Sequence, residues 1–106
     1  MQNLLLNAFS HNMLGKNALV KFEEVSLEEA VAFANGGFTS AVGLPDAARV
    51  FGSLLGVEVA TNRVNVSLNA GDIALVGVVK GPRLPEGATS LPPGATIVWS
   101  RVTVLQ

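Results

Sequence analysis

The sequence predicts an α/β fold of the α+β kind: a single mostly antiparallel or mixed sheet covered by helices, in a chain that works as a homodimer. Three observations predict it. Strand-length apolar or alternating runs outnumber the helix patterns. At 106 residues the chain has room for one core and not two, so residues 1–106 form a single domain. Finally, 49% of residues are hydrophobic and only 14% charged, with mean hydropathy +0.45, which leaves apolar surface for self-association to hide.

The elements follow in order. Leu4–Leu6 reads as a short buried strand that breaks at Asn7, and Phe9 to Leu14 as a helical turn closed by Gly15. Ala18 to Val25 is a second strand, with Ala18, Val20 and Phe22 on one face. Ser26-Leu-Glu-Glu29 is a capping box that starts a helix through Phe33, and Gly36-Gly37 ends it. Pro45-Asp46 opens a second helix, in which Val50, Phe51, Leu54 and Leu55 recur at helical spacing up to Gly56. Asn62 to Asn69 alternates with Val64, Val66 and Leu68 inward; Asn69-Ala-Gly-Asp72 turns the chain, and Ile73 to Val79 is expected back as an antiparallel hairpin partner. Residues 81–94 hold four of the five prolines and three glycines, the composition of a flexible surface loop. Thr96 to Leu105 is the last strand.

Composition removes several classes of function. Seven Lys+Arg against eight Asp+Glu give a net charge of −1, far from the positive field that long nucleic acid requires. With no cysteine and one histidine there is no disulfide, thiolate metal site, cysteine nucleophile or zinc cluster, so no metal and no cofactor are expected. The N-terminal run lacks a basic region and is interrupted at Asn7, and no stretch approaches the ~18 apolar residues that span a bilayer. The expectation is a cytoplasmic protein without a membrane partner.

Three polar clusters stand out. Asn7, Ser10, His11 and Asn12 gather where the first strand gives way to a turn; Thr61-Asn62-Arg63 opens the alternating run; and Arg83 and Glu86 sit in the proline-rich loop. Each has an ordinary reading, as a capped turn, a solvated edge charge and a surface ion pair. Their order and spacing add to this. Leu5-Leu6-Asn7-Ala8-Phe9-Ser10-His11-Asn12-Met13-Leu14, then Asn62-Arg63-Val64, then Arg83-Leu84-Pro85-Glu86-Gly87, resemble the signature segments of the small viral anti-CRISPR ring nucleases.

That resemblance, from about Leu4 to Gly87, implies a sandwich-like α/β homodimer that binds cyclic tetra-adenylate, the messenger of type III CRISPR defence, across its two-fold axis. It implies ligand contacts from Asn7, Ser10, Asn12, Arg63, Arg83 and Glu86, with the loop as a flap. Arginine suits phosphate because its planar fork donates two bonds and stays charged. Two copies would double the two arginines to match a ring of four phosphates.

Members that cut the ring carry a histidine as proton donor directly after the glycine that precedes the central helix. Counting back from Asn62-Arg63 without a gap, that position is Leu44. Leucine transfers no proton, so the sequence favours a binder that sequesters a cyclic nucleotide over an active metal-independent ring nuclease. His11 is the one imidazole that could serve as a relocated acid. The segment Ser90-Leu-Pro-Pro-Gly94 is also too short and proline-rich for the helix the family often has there. The resemblance therefore leaves open a smaller ring, and the stacking of dimers into a higher oligomer.

Overall fold

A run of three leucines needs cover on both faces, and the computed structural model of the chain, which describes Met1–Gln106, places that run inside the sheet. β1 (Asn3–Leu6) lies between two parallel neighbours, β3 (Thr39–Ser40) and β4 (Ile73–Lys80). β4 pairs along its other side, antiparallel, with β5 (Thr96–Val104), and β5 pairs antiparallel with β2 (Val20–Val25). The single five-stranded sheet has the order β2-β5-β4-β1-β3. It is evenly mixed, with two parallel and two antiparallel pairings, rather than mostly antiparallel.

Two helices cover one face. α1 (Leu27–Asn35) begins at the expected capping box: the Ser26 hydroxyl accepts from the Glu29 N–H, and the Ser26 N–H donates to the Glu29 carboxylate, both at 3.1 Å. α2 (Pro45–Leu55) has proline in its first turn and stops at Gly56, whose φ of 72° is left-handed. Small residues on these helices, Ala30, Ala34, Ala47 and Ala48, let them approach Leu5, Leu75 and Trp99 of the sheet. The rings of Phe51 and Trp99 meet tilted, 5.0 Å apart.

The opposite face has no helix. Leu4, Leu6, Ala74, Val76, Val102 and Val104 are covered there by Phe9, Met13, Leu14, Val66 and Leu68, from a single 3-10 turn (His11–Met13) and the irregular chain after α2.

The expected hairpin does not form. Residues 62–69 are irregular apart from one parallel bridge, Leu14 to Leu68, in which the Leu68 N–H donates to the Met13 carbonyl at 2.7 Å. Both edges of β4 are already taken, by β1 and β5, so no side remains for this segment. The alternation reports burial without pairing: Leu68 is buried and Val66 half-buried, while Val64 is 52% exposed. The segment instead wraps the β3 edge. Asn62 donates from its backbone N–H to the Val42 carbonyl (2.8 Å) and from Nδ2 to the Ser40 carbonyl (2.7 Å), and the Ser40 hydroxyl donates to the Ala60 carbonyl (2.6 Å).

The turn before β4 does form, and it holds the N-terminus. Asp72 is 3% exposed, and its carboxylate accepts from the N–H of Asn69 (2.8 Å), the N–H of Gln2 (2.8 Å) and Nε2 of Gln2 (2.9 Å). Burial pushes this carboxyl up, but the donated bonds and the N-terminal ammonium outweigh it and hold it below the usual aspartate range. A depressed folded-state value means stability that is complete above the unfolded pKa of ~3.9 and is lost as pH falls through the folded value. Asp72→Ala orphans three donors and is expected to cost ~1–3 kcal/mol at pH 7 by chemical denaturation. That cost should shrink below pH 3; an equal cost at pH 7 and pH 2.5 would contradict the assignment.

Candidate functional site

The parallel strands β3, β1 and β4 end side by side, and the crevice beyond their carboxyl ends, where chain connections diverge, is where open α/β sheets bind ligands. Three segments enter it. Asn7 follows β1; Gly43 and Leu44 lead from β3 into α2; Gly81 to Leu84 leave β4. Asn7 ties the first two together, its Oδ1 accepting from the Gly43 N–H at 3.1 Å. This leaves its amide nitrogen as a donor without a protein partner.

Arg63 arrives from the wrapping segment that Asn62 pins to β3. Its stem lies over Gly43: a Cβ at that glycine would stand 3.3 Å from Arg63 Cγ, so the glycine makes room for the arginine. Two clefts result. One of about 300 Å³ is lined by Asn7, Met13, Gly43, Leu44, Arg63 and Val64, among others. The other, about 520 Å³, is bordered by Asn7, Leu44, Asp46, Phe51, Val78 and Arg83. Asn7 and Leu44 form the wall they share.

The electrostatics are one-sided. Neither Arg63 nor Arg83 has a carboxylate within ion-pair distance; the three ion pairs of the molecule are Lys21–Glu23, Arg101–Glu23 and Arg49–Asp46. Leu44 stands at the N-cap of α2, where its side chain offers no acceptor, so the first-turn N–H groups and the positive end of the helix face the crevice uncapped. Asp46 is the one acid on the wall, and it is engaged: it accepts from Arg49 and, at 3.1 Å, from the Gly87 N–H. Charge and helix polarity at this crevice therefore favour an anion over a cation.

The loop 81–94 lies along α2. Besides Gly87 on Asp46, the Ala88 carbonyl accepts from Arg49 Nε (3.2 Å) and the Thr89 carbonyl from the Ser53 hydroxyl (2.9 Å). Its neck is pinched where Gly81, at φ 96°, passes the Gly94 carbonyl too closely for a Cβ, which would stand 2.6 Å from that oxygen. Arg83 is thereby delivered to the larger cleft, while Glu86 is exposed and lines neither.

Of the residues singled out in the sequence, Asn7, Leu44, Arg63 and Arg83 come together. Ser10, His11 and Asn12 do not reach the clefts. Ser10 caps the 3-10 turn, accepting from the Asn12 N–H at 3.3 Å, and His11 and Asn12 are exposed. Sequence reasoning missed Gly43 and Asp46. The glycine beside the helix start was a signal for a close approach, but its partner Arg63 is twenty residues on. Nowhere do three His, Asp or Glu side chains gather as metal ligands would.

With this geometry in view, the sequence profile of the STIV B116-like family matches residues 3–92. The chain belongs to the STIV B116-like family. Among its B116-like relatives, ORF117 of Acidianus two-tailed virus is 38% identical over 86 residues, covering 78% of this chain and 73% of that one. The solved structure of B116 of Sulfolobus turreted icosahedral virus superposes with a TM-score of 0.82 at 26% identity, over 97% of this chain and 99% of that one. Both relatives are viral proteins. The B116-like span ends before β5 but contains every residue that lines the two clefts. No helix of this B116-like chain is long and apolar enough to cross a membrane.

Proposed function

We propose that two copies of this chain bind a cyclic oligonucleotide, cyclic tetra-adenylate or a related ring, at a two-fold interface and sequester it from host antiviral signalling. One observation carries the reading: two arginines without carboxylate partners flank Leu44 at the uncapped start of α2, in a protein whose net charge is −1. Of the four basic side chains outside ion pairs, Lys16, Arg63, Lys80 and Arg83, the two arginines line this crevice. Each cleft falls in the lower part of the range for drug-sized ligands, the size class of one nucleotide. Two chains supply four clefts and four guanidinium groups, one set per phosphate of a four-membered ring. Leu44, Val64 and Val78 leave an apolar rim beside the clefts, 54%, 52% and 38% exposed, that a second copy would cover.

Sequestration is preferred over cleavage because the wall between the clefts is an asparagine and a leucine, neither of which transfers a proton, and the only imidazole lines neither cleft. A bound phosphodiester would meet no proton donor there. Cyclic tetra-adenylate at saturating concentration is expected to raise the melting temperature, as any ligand of the folded state does. Arg63→Ala should weaken binding by ~1–3 kcal/mol, about 5- to 150-fold, by titration calorimetry. No shift with cyclic di-, tri- or tetranucleotides, or an unchanged affinity in Arg63→Ala, would overturn the reading.

A further inference from the structure

Loop 81–94 has the composition of a mobile segment, yet α2 holds it along one face. Asp46, Arg49 and Ser53 recur at three- and four-residue spacing, so their side chains line one side of the helix. They meet three consecutive loop residues, and only through backbone groups: Asp46 accepts from the Gly87 N–H, Arg49 donates to the Ala88 carbonyl and Ser53 to the Thr89 carbonyl. Ala88 is buried beside this row, its N–H closing a turn on the Pro85 carbonyl at 3.0 Å, and Leu84 packs against the core under α2. Arg83 therefore lies between two fixed points, the pinch at Gly81 and the bond at Gly87. Of the five residues between them, Pro82 and Pro85 have φ locked by their rings, so the span has little freedom of its own. Where the Gly87 N–H is held decides where Arg83 stands.

Asp46 differs from the other two because it also borders the larger cleft. A carboxylate on the wall of an anion site repels what the site attracts, so its presence there calls for a reason. We infer, on the reading of the clefts as a cyclic-oligonucleotide site, that Asp46 is a positioning residue: by clasping the Gly87 N–H it holds Arg83 over the larger cleft, and its own charge is spent on Arg49 and the loop. Two simpler roles for the acid behave differently on substitution. A first-turn charge that only complements the α2 dipole is lost equally in Asp46→Ala and Asp46→Asn. A charge that only repels the ligand makes both variants bind more tightly. A clasp separates them, because the asparagine Oδ1 still accepts from the Gly87 N–H and from Arg49, whereas alanine accepts from neither.

Limited trypsin digestion tests the clasp without any ligand, since the bond after Arg83 is cut fastest when the loop leaves α2. Asp46→Ala is expected to be cut there ~10-fold faster than wild type, and Asp46→Asn at about the wild-type rate. Cuts after Arg49 and Arg101, inside α2 and β5, report global unfolding and should stay at wild-type rates. Ser53→Ala, an exposed change that removes the neighbouring bond, should give an intermediate rate. Titration of cyclic tetra-adenylate shows the consequence. Asp46→Ala should bind ~10-fold more weakly, as Arg83→Ala does, and the double variant no more weakly than Arg83→Ala, because a residue acting through Arg83 has no effect without it. Asp46→Asn should bind ~2- to 5-fold more tightly than wild type, having kept the clasp and lost the charge. Equal cutting of wild type and Asp46→Ala, equally fast cutting of both Asp46 variants, or additive losses in the double variant would overturn the clasp. A wild-type chain that binds no cyclic di-, tri- or tetranucleotide overturns the proposed function alone, and the trypsin rates then decide whether Asp46 places Arg83.

Discussion

Gly77→Val is expected to cost about 3 kcal/mol and to lower the melting temperature by roughly 15 °C, the scale for strong overpacking in a domain of this size. Gly77 sits in β4 opposite Trp99, at the point where the Phe51 and Trp99 rings close over the sheet. A Cβ there would lie 2.7 Å from both Phe51 Cζ and Trp99 Cζ3, inside any real contact distance. Neither ring can yield cheaply, since Phe51 is fully buried and Trp99 4% exposed. The glycine is therefore a space requirement of the aromatic pair. Because Gly77 and Phe51 also border the larger cleft, the same change should weaken ligand binding even at temperatures where the protein stays folded. Thermal denaturation followed by tryptophan fluorescence reads the first effect directly, through Trp99. A shift under about 3 °C would show that the pair repacks freely.

Local chemistry made most of the fold legible, and long-range competition hid the rest. The Ser26 box and the Pro45 and Gly56 boundaries are decided within a few residues, so both helices sit where sequence reasoning puts them. The parallel pairing of β1 with β4 depends on residues about seventy positions apart, and nothing near either strand announces it. Residues 62–69 show the consequence: alternation marks one buried side, but whether a segment pairs depends on whether a neighbouring edge is free. β3, two residues long, carries no pattern at all. The site divides in the same way. Asn7, Arg63 and Arg83 are visible as polar residues at element ends, but their convergence needs the β1–β3–β4 arrangement and the wrap that Asn62 fastens. Ser10 took the ordinary reading because a cap is satisfied two residues away, without any tertiary contact.

Leu44→His should convert the proposed binder into a slow ring-opening enzyme, with a rate ~10²–10⁴-fold above the parent protein, the usual contribution of one positioned acid. The chemistry asks little else of the protein. A ribose 2′-hydroxyl, giving up its proton to solvent, attacks the adjacent phosphorus; the 5′-oxygen leaves and takes a proton from the imidazolium, giving a linear product with a 2′,3′-cyclic phosphate and a free 5′-hydroxyl. Position 44 stands on the wall shared by both clefts, its side chain half-exposed and free of helix-capping duty, so an imidazole there displaces no existing hydrogen bond. The positive end of α2 and the unpaired arginines oppose its protonation, while bound phosphates favour it. The rate should therefore fall as pH rises past the imidazole range near ~6.5, and be greatest on the acid side. Leu44→Gln, polar but without a transferable proton, should bind as the parent does and remain inactive. If Leu44→His retains affinity yet yields no linear product at pH 5.5, the missing proton is not what separates binding from cleavage. The phosphodiester would then be held out of line for attack, and the arginines, not position 44, would be the place to look.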